Sequence, residues 1–167
     1  MAVIFLYKLE RIGFDMPKLT ITVGVSASGK TTWVESLNEV EFFNTVNINK
    51  DDIRFNIIKP GVNWKTYNPK GNETKVTQFQ VALAKSAAFS RENIIISDTN
   101  LSPRVRQFWE SFAHENGYDF EIKEFPISLE EAIKRDANRE NSVGEEAIKK
   151  QYQLWLHYLE TKESKEM

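Results

Sequence analysis

Hydrophobic and polar positions alternate along this chain in two rhythms, and the switches between them outline the fold. Leu19-Thr20-Ile21-Thr22-Val23 is a short β-rich run that ends at a glycine, which predicts a strand. A helix is expected from about Lys30 to Asn38, a second strand from Asn44 to Ile48, and a further helix beginning near Asp51. Val76, Phe79, Leu83 and Ala87 recur at three- and four-residue spacing, which predicts an amphipathic helix with that stripe facing inward. Ile94-Ile95-Ile96 is apolar without alternation, as in a central parallel strand covered on both faces. Ser102 and Pro103 suit the N-cap and first position of another helix. Phe120 to Phe125 alternates and reads as a strand nearer an edge, and Ile148, Tyr152, Trp155 and Leu159 form one stripe of a closing helix. Strands alternating with helices predict a three-layer α/β domain with a mainly parallel sheet of about four to five strands. The stretch from Lys59 to Gly71, with two prolines and two glycines, is expected to be the one long loop.

Residues 1–17 read as an extension before the domain, an edge strand or a dispensable segment, with Met16 as an alternative start. The domain is expected over 18–161 and a frayed tail over 162–167. The apolar run Ala2 to Tyr7 is six residues long and is followed at once by Lys8, Glu10 and Arg11; it is too short for a membrane span and badly shaped for a signal peptide. A cytoplasmic protein is therefore expected, without a membrane partner.

Composition narrows the chemistry. At 167 residues, 41% hydrophobic and 28% charged, the chain has the profile of one globular domain. It has no cysteine and two histidines, which excludes thiolate-held metal sites and makes a histidine cluster an unfavoured reading. A net charge of −2 supplies no global basic field, so any nucleic-acid binding must come from local basic groups.

The strongest motif follows the first strand: Gly24-Val25-Ser26-Ala27-Ser28-Gly29-Lys30-Thr31 is a complete phosphate-binding loop between a strand and a helix. Its backbone N–H groups can face phosphate oxygens, with Lys30 as a point charge on the β- and γ-phosphates and the Thr31 hydroxyl as a Mg²⁺ ligand. Gly24, Ser26, Ala27, Ser28, Gly29, Lys30, Thr31 and Thr32 are thus expected to hold a nucleoside triphosphate. Asp98 ends the Ile94–Ser97 run, at the carboxyl edge of the sheet where ligands bind, and is expected to hold the metal directly or through water. Asp51, Asp52 and Arg54 follow the second strand onto the same rim. One of the two acids is the best candidate to accept a proton from a hydroxyl, and Arg54 suits an anionic acceptor. Two acids at a helix start also have a bland explanation in the helix dipole. Arg135 and Arg139 share a helical face ahead of a polar segment, where they can neutralise charge on a transferred phosphoryl group. Arg104 and Arg106 beside Phe108 and Trp109 read more simply as surface arginines next to core aromatics.

Four segments in order resemble the kinase domain of the phage-type polynucleotide 5′-hydroxyl kinase family: Gly29 to Trp33, Asn47 to Arg54, Ile95 to Leu101 with Pro103, and Lys134-Arg135 with Arg139. The similarity spans about residues 18 to 160. The resemblance implies a P-loop kinase fold with an arginine-bearing lid and transfer of the γ-phosphate of ATP, with Mg²⁺, to 5′-hydroxyl ends of DNA or RNA. It also implies roles: Asp51 as general base, Arg54 on the adjacent phosphate, Asp98 organising acceptor and metal, and Arg139 on the donor phosphates, with Arg135 as a lid partner. The chain departs from the family where its loop reads Ser26-Ala27 in place of Pro-Gly, and no Asp-x-Asp phosphatase motif is present. Two other readings stay open: a kinase of a small molecule or nucleotide, and a nucleotide-binding switch without transfer.

Overall fold

The computed structural model describes residues 16–166; the expected edge strand or loop before Met16 lies outside the described residues. Four parallel strands form one sheet in the order β2-β3-β1-β4. They are β1 (Lys18–Val23), β2 (Thr45–Ile48), β3 (Asn93–Ile96) and β4 (Asp119–Glu124). β1 lies between β3 and β4, with Leu19 opposite Ile94 on one side and Phe120 on the other. That position explains its composition: Leu19, Ile21 and Val23 are fully buried and even Thr22 is, because both faces are covered. β4, at an edge, keeps three exposed residues out of six, in line with its alternating sequence.

The helices are α1 (Lys30–Ser36), a single turn α2 (Lys50–Asp52) running into a π-helical stretch (Ile53–Ile58), α3 (Glu73–Phe89), α4 (Pro103–Asn116), α5 (Leu129–Ala137) and α6 (Glu145–Glu166). The α1 connection moves from β1 past β3 to β2, whereas those through α3 and α4 move in the opposite direction. Right-handed crossovers then put α1 on one face of the sheet and α3 and α4 on the other, which makes three layers. α4 starts as its sequence predicts, with Ser102 at the N-cap and Pro103 at N1, and ends at Gly117 in the left-handed conformation (φ 71°).

Two expectations need correction. The buried stripe of α3 is Val76, Gln80, Ala84 and Ala87, while Phe79 and Leu83 stand 37% and 36% exposed. The helix is rotated because Gln80 must reach inward to a carboxylate described below, and alanines let it lie close to the sheet. The stretch 59–71 is a loop as expected, and it is packed: Trp64 and Tyr67 meet Phe55 edge-to-face at 5.3 and 5.7 Å. At the other end of the chain α6 continues helically through Lys162 to Glu166 where a frayed tail is expected. Lys162 gives that last turn a tertiary anchor, its Nζ donating to Glu124 Oε1 at 2.8 Å.

Candidate active site

The carboxyl ends of β1, β2 and β3 open into one cleft of about 770 Å³. At one end lies the glycine loop. Gly24 leaves β1 where a Cβ would come within 2.8 Å of Ser28 Oγ and 3.0 Å of the Phe125 carbonyl oxygen, so no side chain fits. The Ser26 N–H donates to Gln151 Oε1 of α6 at 2.7 Å, which ties the loop to the closing helix. Gly29 turns into α1 at φ 104°. Ala27 also sits in the left-handed region, at φ 62°. This is the position at which the resembled family carries glycine, so Ala27 bears a strain that glycine would not.

Lys30 begins α1 and is buried. Its ammonium curls back to donate to the Gly24 and Val25 carbonyls and to Ser28 Oγ. Burial, and then the charge of Arg139, lower its pKa to about 8 from the ordinary 10.5; Asp98 and Asp51 oppose the drop. The two carboxylates and Arg139 are thus within electrostatic reach of the same ammonium.

At the other end, side chains rather than backbone build the site. Asn49 leaves β2 and caps the next turn, its Oδ1 accepting from the N–H groups of Asp51 and Asp52. Its Nδ2 donates to the Ser97 carbonyl at 2.9 Å, fastening the ends of β2 and β3 together. Asp98 completes the fastening: Oδ1 accepts from the Lys50 N–H (2.8 Å) and Oδ2 from Gln80 Nε2 (2.6 Å). Burial raises the pKa of Asp98, although both bonds and the charge of Lys50 favour its ionised form. Each oxygen accepts one bond from a protein donor, and the carboxylate orders the turn that carries Asp51.

Arg54 emerges on the π-helical stretch between two acids. Nη1 donates to Asp51 Oδ1 at 2.7 Å, while Nε and Nη2 grip both oxygens of Glu73 at 2.8 and 2.7 Å. Burial works against the guanidinium charge, but the Glu73 bonds and then the two negative charges outweigh it and raise its pKa. Glu73 is correspondingly lowered, chiefly by the Arg54 bonds. Tyr67 Oη donates to Glu73 Oε1 at 2.7 Å. Asp52 points to less: burial, then its neighbour Asp51, raises its pKa, and it does not line the cleft.

Arg135 and Arg139 reach the cleft from the far wall. Arg135 pairs with Glu131 on the exposed face of α5, Nε to Oε1 at 2.7 Å. Arg139 lies 3.7 Å from Asp136, a buried carboxylate that also accepts from Ser142 Oγ and the Val143 and Gly144 N–H groups. Asp136 thereby shapes the whole 138–144 segment.

Of the residues singled out from sequence, Ser26, Ala27, Gly29, Lys30, Thr31, Thr32, Asp51, Arg54, Asp98, Arg135 and Arg139 all line this cleft. Gly24 and Ser28 lie beneath the loop as supports. Arg106 serves the fold: it donates to the Asn100 and Leu101 carbonyls and stacks on Tyr158 at 4.6 Å, and Trp109 is core. Sequence reasoning missed Glu73, Gln80, Trp64 and Asp136. Glu73 reads as an ordinary first-turn acid, and its pairing with Arg54 over 19 residues leaves no periodic trace.

No group of three or more histidine or acidic side chains suited to a metal occurs among the described residues, and none of the described helices is long and apolar enough to cross a membrane. Whole-chain comparison agrees with the motifs. A protein of Autographa californica nuclear polyhedrosis virus described as a bifunctional polynucleotide kinase/RNA ligase is 30% identical over 149 residues, covering 83% of this chain and 21% of the viral protein. A chain in the structure of the Pnkp1/Rnl/Hen1 RNA repair complex superposes with a TM-score of 0.71 at 28% identity, over 91% of this chain and 48% of that one. A second Pnkp1/Rnl/Hen1 structure gives a TM-score of 0.58 at 29% identity, over 73% and 40%. The chain thus spans about a fifth of the viral relative and under half of the solved chains. The AAA domain family matches residues 19–160, the glycine loop and both walls of the cleft included, and the chain belongs to that family.

Proposed function

We propose that this protein transfers the γ-phosphate of ATP to the 5′-hydroxyl end of DNA or RNA, as a step of nucleic-acid end repair. One observation carries this: a single cleft holds the phosphate-loop ammonium at one end and a carboxylate locked to an arginine at the other. The first suits a triphosphate, the second a hydroxyl with a phosphate beside it. The relatives' descriptions as polynucleotide kinase and RNA repair proteins support the same acceptor.

In the proposed reaction the acceptor oxygen attacks the γ-phosphorus in line. The new O–P bond forms as the bond to the β-phosphate oxygen breaks, and ADP leaves. Asp51 takes the hydroxyl proton. Its Oδ1 is held by Arg54, which leaves Oδ2 for the hydroxyl. Lys30 exchanges its loop carbonyls for phosphate oxygens, and Arg139 balances charge on the transferred group, with Arg135 as its lid partner. Magnesium would fit the exposed Thr31 hydroxyl, with Asp98 holding it directly or through water. When bound, the ion neutralises phosphate charge. Such a protein works in the cytoplasm, in the host's if it is viral.

Transfer of label from γ-labelled ATP to 5′-hydroxyl DNA and RNA oligonucleotides, with Asp51→Ala as control, tests the reading. Labelled oligonucleotide with the wild type and none with the variant is expected; an unlabelled oligonucleotide with the wild type refutes it. The absence of a global positive charge keeps a small-molecule acceptor as a second reading. It prevails if lengthening the acceptor beyond a nucleoside 3′-phosphate brings no gain and an unrelated alcohol reacts faster.

A further inference from the structure

We infer that Gln151, on the closing helix α6, is a positioning residue of the donor site whose carbonyl oxygen holds the glycine loop in the shape that receives a triphosphate. The inference rests on the donor proposed above. Ser26, Ala27 and Gln151 all line the cleft. The Ser26 N–H donates to Gln151 Oε1 at 2.7 Å, so one amide of the loop is turned to a helix rather than to an anion. The next residue, Ala27, stands at φ 62°, in the left-handed region that is unfavourable for a residue with a side chain. Such a conformation lasts only where its surroundings impose it. The loop is fixed at its start by the Gly24 N–H, which donates to the Thr99 carbonyl at 3.1 Å, and Gln151 fixes it again immediately ahead of Ala27. Gln151 is itself firmly placed. Ile148, three residues before it, and Trp155, four after, share its side of α6 and are buried in the core. Beside such apolar neighbours an amide side chain requires a polar partner, and the loop N–H is that partner.

Nucleotide binding increases the weight of this anchor. The empty loop has a second clamp, the Lys30 ammonium, bonded to the Gly24 and Val25 carbonyls and to Ser28 Oγ. On the proposed reading a triphosphate draws Lys30 away from those partners, whereas the bond between Ser26 and Gln151 shares no group with them. Of the two clamps, Gln151 is the one that remains. It then keeps Ala27 left-handed, with the following amides presented to phosphate oxygens. Loss of its carbonyl should therefore weaken ATP binding more than it weakens the empty fold.

Gln151→Met keeps the length of the side chain and removes the acceptor oxygen. In calorimetric titration, which needs no phosphoryl acceptor, Kd for ATP should rise about tenfold, the size set by left-handed strain at one residue. In an Ala27→Gly background the backbone takes that conformation unaided, so the same change should raise Kd by about threefold or less. A glutamine that merely packed α6 against the domain would act equally in both backgrounds. An unchanged Kd in Gln151→Met, or an equal rise in the two backgrounds, overturns the inference. If the wild type binds no ATP, it is the donor reading that fails, and thermal melts of the same four proteins still decide whether Gln151 shapes the loop. A smaller gain in midpoint from Ala27→Gly beside Gln151→Met supports it, because the unpinned loop has already shed the strain; an equal gain refutes it.

Discussion

The two ends of the cleft are built on opposite plans. The donor end is eight consecutive residues whose work is done by main-chain groups and one ammonium. The acceptor end gathers Asn49, Asp51, Arg54, Glu73, Gln80 and Asp98 from the ends of two strands, a π-helical stretch and the length of α3, joined by side-chain hydrogen bonds. A backbone cradle is general: it recognises phosphates and accepts many sequences around its glycines. A side-chain corner is particular, because each donor is aimed by another residue. On the proposed reading, specificity for the acceptor resides there, and there single substitutions should separate the two ends.

The sharpest separation comes from Asp51→Ala. Removing the proton acceptor should lower kcat by about 10²–10⁴-fold while KM for ATP stays near the wild-type value, as steady-state kinetics would show. Glu73→Gln comes next. Arg54 loses the charge that holds two of its nitrogens, so kcat/KM for the acceptor should drop about 10- to 100-fold with ATP binding intact. Equal loss on the donor side would show that the two ends are not separately built.

The donor end yields to pH. Lys30 titrates near 8 in the folded protein against 10.5 when unfolded, so the unfolded chain binds more protons between those values. Stability of the nucleotide-free protein should therefore gain a rising contribution with pH across that window, one that is lost as pH falls through 8. Thermal melts of wild type and Lys30→Met at a series of pH values would show it as a difference in slope, with the variant flatter. Ala27→Gly is the smallest effect. Releasing the left-handed strain at φ 62°, less the entropy that glycine loses on folding, should stabilise by about 0.5–1 kcal/mol and raise the midpoint by roughly 1–4 °C.

The same contrast explains what could be read from sequence. The strand that buries Leu19, Ile21 and Val23, the glycine loop after it and the isoleucine run of β3 are local patterns, and each lies where its residues indicate. The inward face of α3 was not legible. Periodicity favours Phe79 and Leu83, but the carboxylate of Asp98 recruits Gln80 across 18 residues and turns the helix. Glu73 and Trp64 were hidden for a similar reason: one looks like a helix-start acid and the other like a loop aromatic until Arg54 stands between them. Asp51 and Arg54 could be found because they follow β2 directly onto the rim that carries the glycine loop.

The resting place of the Lys30 ammonium carries a last consequence. Held by two carbonyls and a hydroxyl inside its own loop, it is not free to greet any passing anion. A ligand that takes the ammonium must replace all three partners, and its negative charge would favour the protonated form that burial disfavours. Phosphate oxygens can do this, so on the proposed reading the arrival of a nucleotide and the change of partners at Lys30 are one event.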